Sequence, residues 1–159
     1  MFAGPVAAQD RRGVHVELGP SVDAWGGRWF AGTFFHLSDQ WVADLGLSHS
    51  SWFPRENPAG QVAATGHVRY LIDIMRIVPS LYAGLGLGYY PGQKTSVVEI
   101  EYGISADYMF SRRLYLGLSV AGVSSFYGEE VTDDDGALQN TVTRALVLLR
   151  FQWVFGETW

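Results

Sequence analysis

Seven carboxylates (Glu17, Asp23, Asp44, Asp73, Glu99, Glu101 and Asp107) and three guanidiniums (Arg69, Arg144 and Arg150) fall at alternate positions within otherwise apolar stretches. Two chemistries are open to charges spaced this way. They can neutralise one another as ion pairs where water is scarce, or line a passage whose acidic excess favours cations. A second constellation is His49-x-Ser51. A serine becomes nucleophilic only beside a base that a third group orients, and no acidic orienter can be named here. A third is the run Glu129-Glu130 with Asp133-Asp134-Asp135. It lacks calcium-loop spacing: counting from Asp133, the glycine position is Leu138 and the closing glutamate position is Arg144. It reads as a solvated acidic loop. Gly86 and Gly88 precede no helix, so they do not form a phosphate loop. With no cysteine in the chain, thiolate metal sites and disulfides are out of reach. No metal or cofactor is expected.

The elements that must position these residues follow from a period of two. Eight segments alternate apolar and small or polar residues, which is strand periodicity rather than a helical stripe. They span residues 14–25, 29–37, 41–52, 61–74, 81–90, 97–110, 114–126 and 141–155. In the fifth, Leu81, Ala83, Leu85, Leu87 and Tyr89 alternate with Tyr82, Gly84, Gly86, Gly88 and Tyr90. In the eighth, Ala145, Val147, Leu149, Phe151, Trp153 and Phe155 oppose Arg144, Arg150 and Gln152, while Leu146, Leu148 and Val154 interrupt the polar face. The second is least regular, because Phe30, Phe34 and Phe35 fall on both faces. Short connections follow segments two, four and six. The others hold Gly26-Gly27-Arg28 and residues 54–60, 91–96 and 128–140. That alternation of short turns and mostly longer loops suits an up-and-down antiparallel meander.

Which face is wet decides the class. A soluble lipocalin-like ligand-binding barrel would turn its aliphatic set inward. Three features oppose this. The polar face is mostly Gly, Ser, Thr and Ala, and the chain has a single lysine, Lys94. A solvated sheet exterior normally carries many lysines and glutamates, whereas small residues suit a narrow lumen. The aromatics gather at segment ends: Trp41, Tyr108, Phe110, Trp153 and Phe155 at one, and Trp25, Trp29, Trp52 and Tyr89 at the other. Such belts suit two membrane–water interfaces. The segment lengths also suffice for tilted strands to cross a bilayer. The expected fold is therefore all-β, an eight-stranded antiparallel up-and-down transmembrane β-barrel with its apolar set facing lipid. No stretch is apolar enough for a spanning helix, since the best window, residues 72–90, contains Asp73, Arg76 and Pro79.

Geometry then suggests pairings within the lumen. A loop centred near Asn57 sets Asp44 opposite Arg69. Closure of the first segment on the eighth brings Arg150 near His15 and Glu17, and Arg144 near Asp23. Gly84 and Gly86 oppose Glu101 and Glu99 and leave them room. The expectation is a lumen filled by an ion-pair network rather than an open pore.

Composition bounds the rest. The chain of 159 residues is short enough for one domain. Its net charge of −5 opposes a phosphate-driven nucleic-acid partner. Val6-Ala7-Ala8 is similar to the cleavage end of a secretory signal. Residues 1–12 are accordingly read as a signal-peptide remnant or disordered tail, and 13–159 as the barrel.

The end of the chain, Phe151-Gln152-Trp153-Val154-Phe155-Gly156-Glu157-Thr158-Trp159, and the segment Leu81 through Tyr90 carry a resemblance. From about Gly13 to Trp159 the chain resembles the small outer-membrane β-barrel superfamily that contains the OmpA transmembrane domain, OmpX and OmpW. Phe151, Trp153, Phe155 and Trp159 match the spacing that such proteins present to the barrel-assembly machinery, and Glu157 departs from it. The resemblance implies a bacterial outer membrane of the Gram-negative type, with termini in the periplasm and contact with lipopolysaccharide. The expected role is structural, surface-interacting or a narrow small-solute channel, as a monomer and without enzymatic activity. Outer-membrane lipid A hydrolases place a His and Ser much as His49 and Ser51 stand here, which makes such an enzyme the rival reading.

Overall fold

The computed structural model describes residues 11–22, 26–52, 60–72, 76–91, 94–132 and 138–155. Among the sequence-derived candidates, Asp23, Trp25, Asp73 and Trp159 lie outside these residues, as does most of the 1–12 tail. The eight strands are β1 (Arg12–Pro20), β2 (Gly26–His36), β3 (Trp41–Trp52), β4 (Gly60–Leu71), β5 (Ile77–Tyr90), β6 (Thr95–Met109), β7 (Leu114–Thr132) and β8 (Leu138–Phe155). Each pairs antiparallel with the next. β1 also pairs with β8, which closes the barrel and leaves no sheet edge.

Two of the short turns use one device. The Ser38 hydroxyl accepts from the backbone N–H groups of Gln40 and Trp41, and the Ser111 hydroxyl accepts from those of Arg113 and Leu114. A serine that ties up the amides two and three residues ahead supplies turn bonds the strands cannot.

Side-chain orientation follows the alternation. Leu85 and Leu87 are 63% and 69% exposed, whereas Glu99 and Arg150 are fully buried. The soluble lipocalin-like alternative requires the reverse and is excluded by this orientation. Leu45, Leu47, Val68, Ile100, Ile104, Leu118 and Val147 complete an exterior belt. Water tolerates exposed apolar patches of only a few hundred Å², so the belt faces acyl chains. Closure satisfies every ladder amide there, the condition for crossing lipid with strands. Trp29, Trp41, Tyr89, Tyr108, Phe110, Trp153 and Phe155 all face outward. Trp41 packs edge-on against Tyr70, and Tyr108 against Phe110. Trp52 ends β3, and its side chain lies outside the described set.

The belt gives a first prediction. Leu85→Arg, near the middle of β5, is expected to cost about 2–4 kcal/mol in lipid, while Tyr89→Arg at the belt's edge costs about 0–1 kcal/mol. Urea titration in phospholipid vesicles measures both, and equal costs would contradict the assigned depth.

Three expectations are corrected. Residues 128–140 do not form a loop throughout: β7 continues to Thr132 and β8 starts at Leu138, with a register shift between Phe126 and Val131. A strand that extends beyond the bilayer has water on both faces, so it carries no apolar alternation to read. Second, Gly26-Gly27-Arg28 is the start of β2 rather than a loop. Third, β3 and β4 are paired so that Asp44 faces His67, not Arg69.

Candidate functional site

The lumen collects the charged residues. Glu17, Asp44, Arg69, Glu99, Glu101, Asp107 and Arg150 are each buried on the inner face. Arg144 is half-buried on the same face of β8, opposite Val123.

The first cluster lies toward the short-turn end. Arg150 Nε is 2.7 Å from Glu17 Oε1, and its NH1 is 3.2 Å from Asp107 Oδ2. Arg150 also donates to the Ser105 hydroxyl, which in turn meets Ser80 Oγ at 2.6 Å. Arg69 NH2 donates to Asp44 Oδ2 at 2.9 Å, a diagonal contact that survives the shifted register. His15 lies between two carboxylates, with Nδ1 3.4 Å from Asp44 and Nε2 3.5 Å from Glu17. Gln152 donates to Asp107 at 2.9 Å.

Local sequence explains the reach of Arg150. It pairs across β1 with Glu17 and across β7 with Gly117, and Gly117 in turn faces Asp107. A Cβ at Gly117 would overlap the Asp107 carboxylate and the Ala106 carbonyl. The missing side chain is what lets Arg150 span from β8 to β6. Gly84 serves His67 likewise, since the imidazole edge lies over it.

The second cluster lies toward the loop end. Arg28 NH2 is 2.8 Å from Glu101 Oε2 and 3.4 Å from Glu99 Oε2, and its NH1 donates to Glu99 Oε1. His67 Nε2 is 3.1 Å from Glu101. The Gln61 amide donates to Glu99, and the Tyr127 hydroxyl donates to Gln61 at 3.3 Å. Sequence reasoning missed Arg28, because Gly26-Gly27 reads as a turn and the inward Phe30 and Phe34 blur the alternation. The available signal was parity: Arg28 shares the face of Phe30, opposite to the outward Trp29.

A column of rings joins the clusters. His15 stacks on Phe30 with centroids 4.7 Å apart, Phe30 meets His67 at 5.3 Å, and His67 meets Tyr82 at 5.7 Å. The Arg69 guanidinium sits 5.6 Å over the Tyr82 ring, within cation–π range. The residues that interrupted the polar face in the sequence also turn inward. Leu146 and Leu148 pack with Tyr82, Ala121 and Val123, and Val154 packs with Phe34 and Val42. Side chains therefore fill the barrel at mid-height.

The charge balance differs from the sequence count. Five buried carboxylates meet three buried guanidiniums and two buried imidazoles among the described residues. The set is neutral when both imidazoles are protonated and carries two negative charges when neither is. Arg28 thus supplies a cation that the sequence count lacked, and His15 and His67 stand among the carboxylates. No group of three or more metal-ligating side chains occurs among the described residues.

His49 and Ser51 are both half-buried on the outer face of β3. The described residues give His49 an aromatic neighbour, Trp29, at 5.9 Å with nearly parallel rings, rather than a carboxylate.

No protein-family model matches the chain, and no curated protein sequence matches it. Among solved structures, Neisserial surface protein A superposes with a TM-score of 0.65 at 11% sequence identity, covering 92% of this chain and 95% of that one. At this identity the likeness concerns the path of the backbone: two chains with little sequence in common form the same kind of closed eight-stranded barrel.

Proposed function

We propose that this protein is a monomeric barrel of the bacterial outer membrane, with its termini in the periplasm, that holds a surface-exposed β7–β8 hairpin in place and does not serve as a pore or an enzyme. The observation that carries the reading is the blocked lumen. Arg28 on β2 reaches Glu101 on β6, Arg69 on β4 reaches Glu17 on β1, Arg150 on β8 reaches Asp107 on β6, and the His15–Phe30–His67–Tyr82 column lies among them. An ion entering would have to break paired, desolvated charges, which cost several kcal/mol each to separate. The two longest strands, β7 with 19 residues and β8 with 18, support the surface role, since they extend beyond what a bilayer requires. The name of Neisserial surface protein A is consistent with such placement. The exterior belt makes lipid, including lipopolysaccharide, the constant partner, and the alternating Phe151, Trp153 and Phe155 suit recognition by the assembly machinery.

Planar-bilayer recording tests the reading. The folded protein is expected to give no unitary current steps. Steady steps, selective for either sign of ion, would replace the anchor with a narrow solute channel. Acyl release from lipopolysaccharide that disappears in Ser51→Ala would instead establish the hydrolase.

A further inference from the structure

Below the blocked lumen, a cavity of about 340 Å³ opens at the short-turn end. Its lower walls are apolar: Phe34, Val42 and Val154 form one buried cluster, with Leu71 and Tyr115 packed against it. Its charges are unbalanced. Arg11, Arg69 and Arg112 line it against Asp39 and Asp107; Arg69 is paired with Asp44 and Asp107 with Arg150, which leaves Arg11 and Arg112 against Asp39. One cation is fixed by side-chain contacts, and the other two stand on backbone anchored near the opening. Arg69 is buried at the inner end, fixed by Asp44 and Tyr82. Arg112 sits in the turn anchored by Ser111, and the Arg11 carbonyl accepts from the His36 amide at 2.9 Å.

We propose that this vestibule binds a small carboxylate with an apolar body, its ring or chain against Val42, Leu71 and Val154 and its anionic group between Arg11 and Arg112. The volume suits roughly ten to fifteen heavy atoms, given that pockets of about 300 Å³ enclose small ligands. Guanidiniums flanking an apolar wall select carboxylates over cations by charge and over alcohols by charge-assisted hydrogen bonds. The site lies on the short-turn side of the first ionic cluster, whose Arg69, Asp107 and Gln152 form its inner end.

The test uses the full chain in phospholipid nanodiscs, with 3-phenylpropionate, 3-phenylpropylammonium and 3-phenylpropanol as probes. Binding is followed by NMR shifts of the Met109 methyl group, which lines the cavity. Saturable shifts with phenylpropionate alone are expected. Arg11→Gln with Arg112→Gln, both at the rim, should weaken the affinity by about tenfold or more. Val78→Trp, which fills the cavity from β5, should abolish it; if that variant does not fold, the rim variant and the probe series decide the matter. No saturable shift with phenylpropionate, equal response to the ammonium or the alcohol, or unchanged affinity in the rim variant would each overturn the proposal.

Discussion

Arg150→Met is expected to destabilise the folded barrel by about 3–5 kcal/mol. Methionine retains much of the bulk, so the loss is electrostatic rather than a cavity. Arg150 is the cation shared by Glu17 and Asp107, and all three side chains are at least 97% buried. Its removal leaves Glu17 with His15 and a more distant Arg69 at 3.8 Å, and leaves Asp107 with the neutral Gln152. Urea unfolding in phospholipid vesicles, followed by tryptophan fluorescence, measures the difference. If the mechanism is uncompensated charge, adding Glu17→Gln and Asp107→Asn should recover most of the stability, because a neutral buried set costs far less than a broken ionic one. A single variant within about 0.5 kcal/mol of the parent, or a triple variant no better than the single, would show that Arg150 does not hold the cluster together.

The second large effect is expected at Arg28. Glu99 and Glu101 stand two residues apart on the inner face of β6, and the Arg28 guanidinium reaches both. Arg28→Met should cost a similar amount, about 3–5 kcal/mol, and Glu99→Gln on that background should return part of it. Arg28→Lys separates charge from geometry. An ammonium keeps the positive charge but lacks the planar fork that meets two carboxylates at once. Lysine is therefore expected to fall between arginine and methionine in the same urea assay. A lysine variant as unstable as the methionine one would mean that shape, not charge, is what β6 requires.

Both predictions rest on residues whose legibility in the sequence was unequal, and the inequality has a physical source. Side-chain period is a local property of a strand, so alternation in residues 81–90 or 97–110 already assigns Leu85 and Ile100 to one face and Glu99 and Glu101 to the other. Which face meets lipid also followed from the chain alone, because the small, lysine-poor set cannot cover a sheet in water. Even the contact of Arg150 with Glu17 was readable, since closing eight strands forces the first against the last. The extension of β7 to Thr132 and the start of β8 at Leu138 were not readable, because strands that leave the bilayer lose the solvent asymmetry that writes the pattern.

What only the tertiary structure decided was partnership. The Asp44 and Arg69 contact depends on a register set by a loop whose length the sequence did not fix, and it persists only because a long guanidinium reaches diagonally. Arg28 needed the barrel to bring β2 across the lumen to β6, strands that are not neighbours in the sheet. The ring column from His15 to Tyr82 likewise joins four strands. The sequence by itself determined the elements, their faces and their order, because those depend on each residue and its near neighbours. Closure of the barrel determined who touches whom inside, because that depends on distances across a space no single strand encodes.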